Sequence, residues 1–235
     1  MQPPSIATVT DFRESTVEWD LVETYLNVVK GDAEALPQHR HDLGRERVGL
    51  IQRARILVAT TDEVFERGYG ASSGASIRKR AGVSSRTFYE HYADKEEAFL
   101  GLFAILDAGV AGFAEAIAEP LPVAETVRAG VRRFLAIVED VPRLTHVLLV
   151  DAAAATPRIS ERRREAIGAF AKEILLSTDR WSGTQPVLVL PETLVIGLVS
   201  GVSEFLCQQV IENPGGSFRE LEDLLVAVWE RLLLP

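Results

Sequence analysis

Apolar positions return every three or four residues along most of this chain, which is the helical period. Ile51, Ala54, Leu57, Val58, Thr61, Val64 and Phe65 share one face of a helix that begins near Arg45, and Gly68 reads as its C-terminal stop. Two short helices are expected next, Gly74–Ala81 and Ser85 to about Tyr92, separated by Gly82-Val83-Ser84. Ser84 is a natural N-cap for the second, and Asp94 caps a long helix from Lys95 to about Ala118 that Pro120 and Pro122 end. Further helices are expected over Val123–Val138, Arg143–Ala155, Ile159–Leu176, Glu192–Ile211 and Phe218–Leu234. Pro142 and Pro157 punctuate them, a looser stretch holds Trp181, Gly183 and Pro186, and Val187–Leu190 is compatible with extended backbone. Upstream, Val17, Leu21, Val22, Tyr25 and Val28 or Val29 allow one helix between Thr16 and Val29 in an otherwise irregular leader. The fold class is all-α.

Composition narrows the class. The chain has 235 residues, 47% hydrophobic and 25% charged, in the ordinary range for a globular protein with a core. A single cysteine, Cys207, excludes an internal disulfide framework and Cys-rich metal sites, and fits a reducing cytoplasm. No signal peptide is expected from the first residues, and no apolar run, such as Leu194–Val202, reaches the ~18 to 20 residues of a membrane span. The net charge of -9 argues at first against a nucleic-acid partner. Its distribution argues otherwise. Residues 45–95 hold 10 Lys and Arg against 6 Asp and Glu, whereas residues 1–44 hold 3 against 8 and residues 96–235 hold 12 against 20.

The basic segment is also the one with three helices, the last two short and joined by a tight glycine turn. That is a helix-turn-helix, whose second short helix can enter the DNA major groove. Ala81, Val83 and Phe88 are placed to pack the turn, while Ser85, Arg86 and Tyr89 project from the opposite face. Phe88 and Tyr92 read as core and Tyr89 as either core or contact; Arg78-Lys79-Arg80 is either a solvated face or part of the contact surface.

Ile56-Leu57, Phe65-Glu66-Arg67-Gly68-Tyr69, Ser72-Ser73, Ala81-Gly82-Val83-Ser84 and Thr87 to Glu96 together resemble the TetR (tetracycline-repressor) family of bacterial regulators. The match runs over roughly 45 residues, and the downstream chain matches only in helical character. The resemblance implies DNA contacts at Ser72 or Ser73, at Ser84, Ser85, Arg86 and Thr87 on the recognition helix, at Tyr89 and His91, and at Lys95. Arg86 is the candidate for direct base reading, since a guanidinium bridges guanine O6 and N7 for ~1–3 kcal/mol. Two positions depart from the family pattern: Gly74 stands where an apolar residue is usual, and Arg78 where a small one packs. The acidic leader is also longer than usual.

The resemblance further implies a dimer built on the two final helices, where Gly197 and Gly201 permit close approach; the alternative is that both complete the monomer core. It also implies a small-molecule pocket in the helical domain, for which Phe134, His146, Phe170, Trp181, Glu204 and Phe205 are candidate lining residues. Aromatic walls with one or two polar groups suit an apolar or amphipathic ligand. Gly70-Ala71-Ser72-Ser73-Gly74 formally matches a nucleophile elbow, but that device needs a strand before its serine and none is expected here. His39, His41 and Asp42 form a polar loop cluster rather than a metal site. No metal, cofactor or enzymatic activity is expected.

The sequence thus predicts an extension (1–44), a DNA-binding domain (45–94) and a ligand-binding and dimerisation domain (95–235) in a cytoplasmic homodimer. Its expected partners are a palindromic double-stranded operator and a small effector, with no membrane. Repression relieved by the effector is the expected function; the alternatives are an activator or co-regulator with the same head, or a small-molecule-binding dimer with a degenerate one.

Overall fold

The structure is a computed structural model and describes residues 18–31, 44–118, 121–183, 185–213, 216 and 218–234. The polar cluster of His39, His41 and Asp42 lies outside them, as does most of the leader. Among the described residues the architecture is all-α, with no β-strand. The helices are α1 (Trp19–Lys30), α2 (Arg45–Ala71), α3 (Gly74–Ala81), α4 (Ser85–His91), α5 (Lys95–Leu100), α6 (Phe103–Ala116) and α7 (Val123–Asp140). After these come α8 (Pro142–His146), α9 (Pro157–Ser182), α10 (Glu192–Glu212) and α11 (Arg219–Leu233). Between α8 and α9 the chain passes through a π-helical turn, Val147–Asp151, and a last short piece, Ala152–Ala154.

Two apolar cores organise the molecule. The first gathers Leu21, Tyr25, Leu57, Ile77, Phe88 and Tyr92 with Phe99, Phe103, Leu144 and Val147, so the helix-turn-helix shares its core with α1, α5 and α8. The second gathers Phe113, Val127, Leu135, Trp181, Leu206 and Leu225 from α6, α7, α9, α10 and α11. Helix α1 is thereby an integral part of the head's packing. Tyr25 is buried on α2, its hydroxyl 3.1 Å from Thr61 Oγ1, and burial pushes its phenol up to about 12.

Several boundaries differ from the sequence reading, each for a local reason. Gly68 adopts φ 75° and ψ 158°, which breaks the regular run of α2, but a further turn continues to Ala71. The expected single helix from Lys95 tightens at Gly101-Leu102, where Leu102 N–H donates to Phe99 O and Ala104 N–H to Gly101 O across three residues instead of four. A Cβ at Gly101 would lie 2.9 Å from the Tyr92 ring and 3.0 Å from Leu57, so the glycine lets this helix approach the head. Pro142 and Pro157 begin helices rather than end them, because a first-turn proline forgoes an N–H that has no helical partner. Thr156 completes the second of these starts by accepting from Ile159 N–H. Helix α9 then runs through Trp181 to Ser182 instead of loosening after Leu176. Val187–Leu190 forms no strand; Leu188 N–H donates to Leu233 O at 2.8 Å and ties this segment to the end of α11.

One expectation about membranes needs correcting. Lys95–Ala116 and Glu192–Glu212 are each long and apolar enough to cross a bilayer by length and composition. Unbroken apolar runs understate them, because Gly, Ala and Ser interrupt the runs without lowering overall hydropathy much. The first is largely a buried core helix, whereas α10 is mostly exposed.

Candidate nucleic-acid interface and interior cavity

The head is built by its caps. Ser73 accepts from Ser76 N–H at 3.0 Å, while Ser76 Oγ accepts from Ser73 N–H at 3.0 Å, a reciprocal capping box that starts α3. Gly82 ends α3 in the left-handed region (φ 65°, ψ 36°), with Gly82 N–H donating to Lys79 O and Val83 N–H to Arg78 O. Ser84 then caps α4 by accepting from Thr87 N–H at 3.0 Å, and Asp94 caps α5 by accepting from Glu97 N–H at 2.9 Å. The glycine at position 74 is accommodated by Phe88, whose ring would touch an added Cβ at 3.6 Å.

These caps fix which side chains face outward. Phe88 is buried, while Ser84, Ser85, Arg86 and Tyr89 are exposed, Tyr89 by 60% and the Arg86 side chain by 88%. Thr87 is half-buried, 2.9 Å from Ser84 Oγ. Arg86 Nε pairs with Glu90 at 2.8 Å across one turn. Arg78 bends outward and donates to Ser85, so it joins the exposed face of α4. Ser73 is exposed at the start of α3.

Three expected contact residues sit differently. Ser72 is buried, its hydroxyl donating to Gly68 O at 2.8 Å, which removes it from the surface. Lys95 turns inward: its ammonium donates to Tyr69 O at 2.9 Å and Ser72 O at 3.0 Å and lies 4.2 Å from the Tyr69 ring centre. It ties off the end of α2 instead of pointing at solvent. His91 is half-buried, and burial with the neighbouring Arg53 holds its imidazole below the ordinary range. Arg80 is likewise committed, to Glu66 and Glu63 of α2. Arg45, Arg47, Arg55, Arg78 and Lys79 have no carboxylate partner among the described residues, and they carry the positive charge of the head.

The second candidate site is a cavity of about 160 Å³ between the two cores. Phe103, Phe113, Phe134, Ile137, Leu148, Phe170, Leu206 and Trp229 are among its apolar walls; Thr145, Arg163 and Ser203 are its polar members. Of the six residues expected from sequence, Phe134 and Phe170 line it, with their rings edge to face at 5.4 Å. The other four do not. Trp181 is packed into the second core. His146 faces Asp151 (3.3 Å) and meets the Phe65 ring edge-on at 5.0 Å, at the joint with the head. Glu204 and Phe205 point outward from α10.

The sequence reading missed Arg163. Its signal was present, because Arg163 shares a helical face with Ile159, Ala166, Ile167 and Phe170. The cavity also reaches the head mechanically. Leu144, Thr145, Leu148 and Leu149 line it, and the same segment carries Arg143, whose guanidinium is 2.6 Å from Asp62 and 5.4 Å from the Phe65 ring on α2.

Comparison with known proteins agrees with this geometry. Residues 56–102 match the sequence profile of "Bacterial regulatory proteins, tetR family". Over 135 residues the chain is 24% identical to the HTH-type transcriptional activator FasR of Mycolicibacterium smegmatis, a match that covers 57% of this chain and 62% of that relative, less than two thirds of its length. The transcriptional regulator FadR of Bacillus subtilis, solved in complex with stearoyl-CoA, superposes with a TM-score of 0.65 at 17% identity, over 74% of this chain and 95% of FadR. A TetR family transcription regulator from Marinobacter aquaeolei VT8 superposes with a TM-score of 0.60 at 22% identity, over 82% of this chain and 100% of its own. At such identities the structural likeness is one of fold, an N-terminal helix-turn-helix on a larger helical body. The head thus matches the DNA-binding segment of the TetR family over residues 56–102, and the chain as a whole shares the fold of TetR-family transcriptional regulators.

Proposed function

We propose that this regulator is a cytoplasmic homodimeric repressor that binds a palindromic operator and is released by a small molecule held in the 160 Å³ cavity. The observation that carries the reading is the outward face of α4, where Ser85, Arg86 and Tyr89 stand exposed above a buried Phe88. Ser73, Ser84, Ser85, Arg86, Thr87 and Tyr89 are the proposed contacts, joined by Arg78; Arg86 reads bases and the hydroxyls position the backbone. Residues 45–94 act as the DNA-binding domain and 95–235 as the ligand-binding and dimerisation domain, with α1 as a buttress against α2.

Dimerisation is supported by the apolar residues left outward on the last two helices. Leu194, Ile196, Phe205 and Ile211 on α10 and Leu224 and Val228 on α11 are exposed, a concentration that a soluble monomer rarely shows to water. A two-fold pairing through them would set two α4 helices about one DNA turn, ~34 Å, apart. Release follows if the ligand prefers one spacing of the heads over the other. The route is Leu144 to Leu149, which lines the cavity and bears on α2 through Arg143 and His146.

Repression is preferred to activation because an inducer that displaces the heads needs no contact with polymerase, although FasR is named an activator. Selection from random duplex DNA tests the core of the reading. Enrichment of an inverted repeat whose binding weakens steeply with salt supports it. No enriched sequence, or a single unpaired half-site, overturns it. A promoter reporter with and without the protein then separates repressor from activator.

A further inference from the structure

Three consecutive arginines on α9 have very different surroundings. Arg162 makes a two-oxygen contact with Asp107 at 2.5 and 2.6 Å and stacks over Phe103. Arg164 pairs with Glu161 on the surface. Arg163, between them, has no carboxylate partner among the described residues. Its Nε is sealed from solvent and has no acceptor among the described residues, while Nη2 donates to Ser203 Oγ at a long 3.4 Å. Glu204, next to Ser203, is exposed and does not reach it.

Arg163 is half-buried overall, and a desolvated N–H without an acceptor favours the arrival of one. Arg163 lines the apolar cavity together with Ser203, Thr145, Phe134, Phe170 and Trp229. Thr145 already donates to Val138 O at 2.9 Å, which leaves its oxygen as an acceptor only. The missing partner is therefore an acceptor that carries negative charge and an apolar body.

We propose that the cavity binds an amphipathic carboxylate, its head held by the Arg163 guanidinium with Ser203 Oγ donating, and its tail among the aromatic walls. A planar carboxylate matches the two-donor fork of an arginine. The void resembles in size one that holds a benzene ring, ~150 Å³, so the favoured tails are compact or of medium length. The proposal rests on reading the cavity as the effector site and names the chemistry of what enters it.

The test uses the full chain without DNA, with octanoate, methyl octanoate and octan-1-ol as probes, followed by calorimetry and by fluorescence of Trp229 at the cavity wall. The wild type is expected to bind octanoate at least about tenfold tighter than either neutral probe, a difference of ~1.4 kcal/mol. Arg163→Met should abolish that preference while keeping octan-1-ol binding, Arg163→Lys should retain part of it, and Ser203→Ala should weaken octanoate a few-fold. Equal binding of acid, ester and alcohol by the wild type overturns the proposal, as does a preference that survives in Arg163→Met. So does failure of every carboxylate from hexanoate to dodecanoate to bind. Should Arg163→Met not fold, the wild-type comparison and Arg163→Lys decide alone. Octanoate that binds without moving the protein off DNA defeats the effector reading and leaves this one, whereas a neutral compound that releases DNA does the reverse.

Discussion

Lys95 and Tyr69 form a clasp: the ammonium lies 4.2 Å from the ring centre and donates to the Tyr69 carbonyl at 2.9 Å. A second bond, to Ser72 O at 3.0 Å, fastens the irregular end of α2 to the start of α5. Lys95→Met is expected to lower stability by about 1.5–3 kcal/mol, the range for hydrogen bonds to a charged group. The slope of log affinity for DNA against log salt should stay at the wild-type value. Loss of a true phosphate contact would make it shallower by ~0.9 per subunit, and that result would refute the clasp. Urea unfolding and a salt titration of DNA binding give both numbers.

Two glycines of the helix-turn-helix should respond oppositely to alanine. Gly74 has ordinary φ, and a Cβ there meets Phe88 at a comfortable 3.6 Å, so Gly74→Ala is expected to stabilise by about 0.4–1 kcal/mol. Gly82 sits at φ 65°, where a side chain costs ~1–2 kcal/mol, so Gly82→Ala should destabilise by that amount. It should also loosen the set of α4 on α3, seen as weaker DNA binding under conditions where the variant is fully folded. Thermal melts of the two variants settle the signs.

Arg86 is held by Glu90 at 2.8 Å when no DNA is present. If Arg86 contacts DNA, as proposed, Glu90→Gln removes a carboxylate that competes for its guanidinium. Binding to arbitrary duplex DNA should tighten a few-fold at low salt, with little change in stability, because exposed pairs contribute only ~0–1 kcal/mol. Unchanged DNA affinity together with a large loss of stability would show the pair to be structural.

The head was legible from sequence because its instructions are local. Ser84 and Asp94 cap the helices that follow them, Gly82 supplies a left-handed turn, and Phe88 and Tyr92 pack inward within a few residues of those signals. Where the structure places a candidate differently, the reason is direction rather than identity. Ser72 and Ser73 are neighbours with one chemistry, and the capping box at Ser73 leaves Ser72 to turn inward. Lys95 carries a suitable charge, but the Tyr69 and Ser72 carbonyls at the end of α2 hold it. In the body, aromatic size drew attention to Trp181, yet no local signal says whether a large ring fills a core or walls a cavity. The polar exception on an apolar face, Arg163, was the better marker.

The pH dependence of stability should carry a contribution from His91. Its folded pKa is depressed, by burial first and by Arg53 second, with Glu90 opposing. The unfolded chain therefore takes up a proton more readily than the native one. The contribution is present above the ordinary histidine value of about 6.5 and is lost as pH falls through the folded value. His91→Gln should flatten the decline between about pH 7 and pH 5 relative to wild type. Melts at several pH values check it, and a variant that declines as steeply as wild type would place the acid sensitivity elsewhere.

The outward face of α10 and α11 makes the last prediction. Leu224 (50% exposed) and Val228 lie one turn apart on α11, and Ile211 (53% exposed) stands near the end of α10. If this surface is the dimer interface, a charge placed at its centre must be desolvated against an identical charge on the partner. Leu224→Glu should yield a folded monomer, with unchanged helical circular dichroism and half the mass by sedimentation. A stable dimer buries about 800 Å² per partner, so one central charge is enough to disfavour it. The monomer keeps a complete head, yet it should bind a two-half-site operator far more weakly, by roughly the 10²–10⁴ that linking two sites can contribute. It should bind an isolated half-site as the wild type does. A variant that remains dimeric would move the interface to another face, and a monomer with full operator affinity would remove dimerisation from the mechanism.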